Sequence, residues 1–257
     1  MTGVLPITLG DSTKVVQALL KSGKEYVCIM KLHGDAKEES IKDLMVEFED
    51  QIFQKPPLRS AVKRQLRTRR IYYLDFIEKD SRNVLFKTGC EAGTYIRKLC
   101  YDMGEILGCG AHMQELRRTR AGPYSENQSS FVTLHKVAYW FEEWMEKKDV
   151  KILQRFVQPM ESALALTPKI VVRDSAVDAL CHGANLTAPG VLSVDSGIEK
   201  DNLLAILSLK GEAIALAKSL QSTENILDMD HGSVATLNRV LMPRGLYPRV
   251  WRSGTSK

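Results

Sequence analysis

The sequence predicts an α+β chain in two parts: a mixed-sheet domain with helices over residues 1–166 and a small β-rich module over 167–250, with 251–257 as a tail. Three observations carry that prediction. The 257 residues, 44% hydrophobic and 26% charged, have ordinary globular composition and enough length for two cores. Strand and helix periodicities alternate through the first part, with two strands linked closely enough to be antiparallel. From Pro168 the texture changes to short apolar runs divided by glycines, which places the boundary between Leu166 and Pro168.

Ser12 is placed to cap a helix whose Val15, Val16, Leu19 and Leu20 recur at helical spacing, and Tyr26 to Leu32 reads as a buried strand. A second helix is expected from about Ser40, with Ile41, Leu44, Phe48 and Ile52 on one face and the Pro56-Pro57 pair as its stop. Ile71 to Ile77 and Val84 to Lys87 flank a polar turn and should pair. Gly93 to Leu107 carries the clearest apolar stripe of the chain and ends at Gly108. Ala111 to Arg120 reads as extended, and Val132 to Trp144 and Val150 to Val157 as helices. The second module shows strands at Ile170 to Arg173, Gly190 to Val194, Leu203 to Leu209 and Ala213 to Ala217, with a helix at Ser175 to Leu180 before a Gly183-Ala184-Asn185 turn.

The net charge is +5, and its distribution says more than its size. Arg59, Lys63, Arg64, Arg67, Arg69 and Arg70 follow one another with no acid among them, and Arg117, Arg118 and Arg120 form a second cluster. Charge so concentrated repels itself unless solvent or a polyanion relieves it, and phosphate is the commonest polyanion. Read from charge alone, a solvated basic face and a nucleic-acid face are equally open. The five cysteines are odd in number and scattered, which suits free thiols in a reducing compartment and points to the cytoplasm. Cys109 with His112 is the one metal-like spacing and lacks a second pair, so no metal site is expected. No apolar run approaches the roughly 20 residues of a membrane span.

Four segments occur in an order that has a known parallel. Thr2-Gly3-Val4-Leu5-Pro6 with Leu9 to Lys14, then Lys24-Glu25-Tyr26-Val27, then Glu91-Ala92-Gly93-Thr94-Tyr95-Ile96-Arg97, then Leu107 to Arg118 together resemble the motifs of the dyskerin/TruB family of RNA pseudouridine synthases. Lys55 to Lys63 and the wording of the fourth block are similar to its archaeal and eukaryotic H/ACA branch, and His182-Gly183-Ala184-Asn185-Leu186 resembles the opening of that branch's PUA module. The resemblance spans nearly the whole chain.

It implies a TruB-type catalytic domain followed by a PUA RNA-binding domain, and isomerisation of uridine to pseudouridine in RNA with no metal or organic cofactor. Tyr26 corresponds to the family's active-site tyrosine; on its own it is an ordinary strand tyrosine. Arg97 corresponds to the arginine that orients the catalytic carboxylate. By periodicity it lies roughly 130° from the centre of the helix's apolar stripe, where a solvent-facing arginine would also lie. Leu116 matches a leucine of the uracil pocket, and Tyr95 fits either the site's wall or the core. Arg59, Lys63, Arg64 and Arg67 are candidate phosphate contacts. His182, Gly183, Ala184 and Asn185 are candidates for gripping the guide RNA's terminal ACA, and equally make a plain turn.

The family's catalytic aspartate stands in a Gly-Thr-Leu-Asp-Pro segment immediately before the position of Thr2, a place held here by Met1. Asp11 falls in the motif's tail and suits a helix cap, so it is no substitute. The expectation is therefore that residues 1–257 alone lack synthase activity. Four functions compete: the catalytic subunit of an H/ACA particle acting on ribosomal RNA by guide pairing and on tRNA without a guide; a stand-alone synthase for the T-loop uridine of tRNA; a non-catalytic RNA-binding protein; and, least favoured, a protein-only interaction scaffold. In the first, the implied partners are guide RNA and a zinc-ribbon-like, a glycine-arginine-rich and a kink-turn-binding protein, with no membrane.

Overall fold

The computed structural model describes residues 1–56 and 63–249, so Arg59 and the tail at 251–257 lie outside the described residues. Close packing divides the chain into two compact units, Met1–Pro6 with Leu20–Val157, and Ile7–Leu19 with Gln158–Lys257. Among the described residues no helix is long and apolar enough to cross a membrane.

The first unit is built on a mixed sheet. Along the chain come β1 (Thr2–Gly3), α1 (Val16–Lys21, whose first four residues belong to the second unit), β2 (Lys24–Leu32), α2 (Glu38–Glu47), β3 (Asp50–Gln54), β4 (Arg67–Asp80), β5 (Asn83–Cys90), α3 (Ile96–Ile106), β6 (Ala111–Ala121), β7 (Tyr124–Ser125), α4 (Leu134–Lys147) and α5 (Val150–Leu153). The strands lie in the order β1-β6-β2-β5-β4-β3, with β7 against β6. Only β1 runs parallel to its neighbour, pairing Thr2 with Arg117 and Gly3 with Arg118. Residues alternate across a strand, so one face of β2 presents Tyr26, Cys28, Met30 and Leu32. That face packs with Ile96, Leu99, Cys100 and Met103 of α3 and with Ile41, Leu44 and Met45 of α2 into one core. α3 lies close because Gly104 has no side chain: a Cβ there would stand 2.1 Å from the Ala111 nitrogen of β6.

Several local expectations change. No side chain caps the helical turn at Gly10–Val15; Leu9 holds the cap position, and Ser12 bonds by its backbone to Leu9. The helix expected to reach Ile52 stops at Phe48. Asp50 takes a left-handed φ of 78°, reversing the chain so that Ile52 enters β3 opposite Arg69. Helical period and a short strand share the positions 41, 44, 48 and 52, and the reversal between them carries no Gly or Pro to announce it. The paired strands are longer than expected, and Arg67, Arg69 and Arg70 belong to β4. The stretch Val150 to Val157 shrinks to one turn.

The second unit carries β8 (Lys169–Val172), α6 (Asp174–Cys181), β9 (Leu186–Thr187), β10 (Val191–Val194), β11 (Leu203–Leu207), β12 (Ala213–Ser219), α7 (Thr223–Asp228) and β13 (Ser233–Val240). Its sheet runs β10-β8-β11-β12-β13-β9, parallel only between β8 and β11. Ile170, Val177, Leu180, Leu204, Ile206, Ile214 and Val234 form its own core. β9, α7 and β13 were absent from the sequence reading. β13 alternates weakly, with Thr236, Asn238 and Arg239 breaking its apolar pattern.

Gly104→Ala should cost about 1–3 kcal/mol, because the methyl meets backbone that cannot turn aside. Chemical denaturation measures it; a stability within experimental error of the parent would show that α3 is free to lift from β6.

Candidate active site

Two bulges aim the side chains of the sheet's middle. Between β2 and β6 the register slips by one, with Glu25 opposite Arg120 and Tyr26 opposite Arg118, leaving Thr119 as the extra residue. Bulges redirect side chains in this way and are common beside active sites. Tyr26 and Arg118 therefore meet on the face that α3 covers, with Leu116 two residues along β6, opposite Cys28. Tyr26 and Leu116 both border the core without being sealed into it.

Arg118 is half-buried and tied on two sides. Its Nε donates to the Val4 carbonyl at 2.7 Å, and its own carbonyl accepts from the Val4 amide at 2.7 Å. Gly3 makes the approach possible. Its φ is 102°, and a Cβ would stand 2.1 Å from the Arg118 oxygen. Across the strand pair the guanidinium-bearing Arg118 stands opposite Tyr26. Burial pushes the Tyr26 phenol above its ordinary value and the nearby Cys90 adds to this, while Arg118 pulls the other way. The phenol is thus neutral near pH 7, able to donate and accept. Cys90, pushed up to about 11 chiefly by burial, is a thiol rather than a nucleophilic thiolate.

The segment Glu91 to Arg97 is a turn into α3. Thr94 folds back through its amide and hydroxyl onto the Glu91 carbonyl, and Gly93 has a φ of 84°. Gln54, buried on β3, grips the backbone of Tyr95 from both sides: its oxygen accepts from the Tyr95 amide at 2.9 Å, and its amide donates to the Tyr95 carbonyl at 3.2 Å. Tyr95 itself holds the helix's N-cap position, half-buried. Arg97, in the first turn of α3, is exposed and forms no ion pair with another described residue.

The basic stretch is less bare than its sequence. Asp50 pairs with Arg70 at 3.0 Å and Glu91 with Arg69 at 3.4 Å, acids brought by β3 and by the turn after β5. Lys63, Arg64 and Arg67 form no ion pair with a described acid and remain the cationic face, with Arg59 outside the described residues. Arg117 pairs with Glu126 at 2.8 Å. His112 bonds to His33 at 2.8 Å, and no group of three potential metal ligands occurs among the described residues.

In the second unit, His182 closes α6 with its Nδ1 2.8 Å from the Asp178 carbonyl oxygen, and Gly183 turns the chain with a φ of 91°. Residues 182–185 are all exposed. Asn185 accepts from the Leu237 amide at 3.2 Å. It also lines a cavity of about 220 Å³ whose other walls include Ser175, Ala179, Thr187, Pro189 and Gly190; His182, Gly183 and Ala184 lie outside that lining.

Comparison with known proteins decides the family. Residues 1–96 match the N-terminal domain of TruB family pseudouridylate synthases, 97–165 the C-terminal domain of tRNA pseudouridylate synthase B, and 168–241 the PUA domain. The chain belongs to the TruB family of pseudouridine synthases. Among curated TruB relatives, "Probable tRNA pseudouridine synthase B" of Methanopyrus kandleri is 53% identical over 98% of this chain and 74% of its own length. The Pyrococcus abyssi protein of the same description is 50% identical over 98% and 75%. A solved Cbf5-Nop10-Gar1 complex contains a chain 47% identical, with a TM-score of 0.93 over 96% of this chain and 75% of that one. A second, an H/ACA RNP bound to a substrate RNA containing 2'-deoxyuridine, gives 43% identity and a TM-score of 0.88 over 97% and 75%.

Within this TruB fold Arg118 and Gln54 join the candidate residues only once the strands are paired. Arg118 was legible only as one cation of a cluster; the bulge that turns it toward Tyr26 leaves no mark in composition. Replacing Arg118 by Met should raise the titration of the Tyr26 phenol further, since the group that opposes burial is gone. Carbon-13 shifts of labelled tyrosine follow it, and an unchanged or lower titration would show that Arg118 does not act on the phenol.

Proposed function

We propose that this protein is the catalytic subunit of a guide-RNA-directed H/ACA particle, converting uridines of ribosomal RNA and tRNA to pseudouridine. The observation that carries the chemistry is the shared face of Tyr26, Leu116 and Arg118 beside the edge strand β1. What favours the guide-directed setting is the likeness, at a TM-score of 0.93, to a chain solved with Nop10 and Gar1.

In this reading Tyr26 stacks on the flipped uracil and exchanges a proton with it, Leu116 closes the pocket's apolar side, and Tyr95 forms part of its wall. Arg97, unpaired among the described residues, orients the family's carboxylate, whose place is next to Thr2. Flipping a base costs a few kcal/mol. Stacking on one aromatic ring returns about 1–3 kcal/mol. The two nearly cancel, so phosphate contacts and guide pairing must hold the substrate. Lys63, Arg64 and Arg67, with Arg59, supply the phosphate contacts of the catalytic domain. The PUA domain, at 167–250, takes the guide's terminal ACA at the turn of residues 182–185, and the accessory proteins of that assembly dock on the same chain.

The names of the curated relatives favour a second reading, a stand-alone enzyme for tRNA. Pseudouridine formation, measured with the Gly-Thr-Leu-Asp-Pro segment joined ahead of Thr2, separates the two: ribosomal substrate modified only with guide RNA supports the particle, and tRNA modified equally with and without guide and accessory proteins supports the other. In either setting Tyr26→Phe should lower turnover at least about a hundredfold with RNA affinity nearly kept. Equal loss of both would assign Tyr26 to folding instead.

A further inference from the structure

The face of the sheet opposite Tyr26 carries a polar row that the reaction does not use. Glu25 precedes Tyr26 on β2 and points the other way. Only 15% of its side chain is exposed. Its Oε1 accepts from the Thr119 hydroxyl at 2.6 Å, and its Oε2 accepts from the Tyr73 hydroxyl and stands 3.2 Å from the Lys87 ammonium. With Glu25 itself, the row spans four adjacent strands, β6, β2, β5 and β4. Gly89 lies between Tyr73 and Glu25, pairing with both. It leaves the space through which the Tyr73 ring reaches across, for a Cβ there would stand 2.3 Å from that ring.

A carboxylate that is mostly buried and held by three donors is costly to place and rigid once placed. Burial alone would push Glu25 up, yet the Thr119 and Tyr73 hydroxyls and Lys87 together hold it below its ordinary value, while burial and the Glu25 carboxylate push Tyr73 up to about 12. The row is thus a locked unit rather than a solvated one.

What it locks is the bulge. Thr119 is the extra residue of β6, without a partner in β2 though its carbonyl accepts from the Glu126 amide at 3.0 Å, and the side chains on either side of it, Arg118 and Arg120, take their directions from its conformation. A bulged residue lacks the ladder bonds that fix its neighbours, so a side-chain bond is the natural restraint. We infer that Glu25 is a positioning residue: through the Thr119 hydroxyl it fixes the bulge that holds Arg118 against Val4 and Tyr26, with Tyr73 and Lys87 holding Glu25 itself. Its bearing on turnover rests on the reading of Tyr26 as the residue that meets uridine.

The test turns on the hydroxyl. Thr119→Val keeps the shape and loses the donor; Thr119→Ser keeps the donor and loses a methyl. Exchange of the Arg118 Nε–H, followed by NMR on the 257-residue chain, should quicken about tenfold or more in Thr119→Val and Glu25→Gln, and stay near the parent in Thr119→Ser. In particles competent for pseudouridine formation, Thr119→Val should lower kcat about tenfold with KM for RNA unchanged, and Thr119→Ser should restore it. Unchanged exchange in folded Thr119→Val and Glu25→Gln overturns the inference, as does a Ser variant more impaired than the Val variant, which would mark Thr119 as packing only. Turnover kept by Tyr26→Phe in the same competent particles would instead strike the assignment of Tyr26, while the exchange rates still decide whether Glu25 holds Arg118.

Discussion

The pair of hydrogen bonds between Val4 and Arg118 is the contact on which the site depends. It joins a two-residue edge strand to the centre of a long one, and it does so where Arg118 also meets Tyr26. An edge strand of two residues has little hold of its own. Close backbone approach at Gly3 and the guanidinium's reach to the Val4 carbonyl supply the hold, so the start of the chain is registered against the tyrosine by one residue. Substituting Gly3 would break this registration sterically, with Arg118 left intact but displaced.

The same economy governs charge. A run of cations that looks unrelieved in the sequence is divided by the fold into Arg69 and Arg70, neutralised by Glu91 and Asp50, and Lys63, Arg64 and Arg67, left open among the described residues. The neutralised pair sits on β4, where it braces the turn leading into α3; of the open cations, Lys63 and Arg64 precede the strand and Arg67 begins it. Paired and open cations are thus separated along a few residues of one sequence stretch, which composition alone could not do.

Much of the fold was legible because its signals are strong. The apolar stripe of α3, the paired strands β4 and β5 and the glycine-spaced second module follow from periodicity and turn chemistry. The helix from Ser40 was drawn too long because Asp50 adopts a left-handed turn without glycine, and β13 was missed because polar residues interrupt its alternation. The candidate site rests on the four-motif resemblance, which named Tyr26, Arg97 and Leu116. Arg118, Gln54 and the Glu25 row escaped it because their roles arise from strand register, and a one-residue bulge is invisible until strands are paired.

The central claim is that the face bearing Tyr26, Leu116 and Arg118 receives the base. Photo-crosslinking from a substrate RNA carrying 4-thiouridine at the target position, followed by peptide mapping, tests it most directly. Crosslinks within Lys24–Leu32 or Ala111–Ala121, lost when the guide is mismatched at the target, are the result expected here. Crosslinks confined to α4 or to the second unit would place the reacting uridine elsewhere and contradict the account.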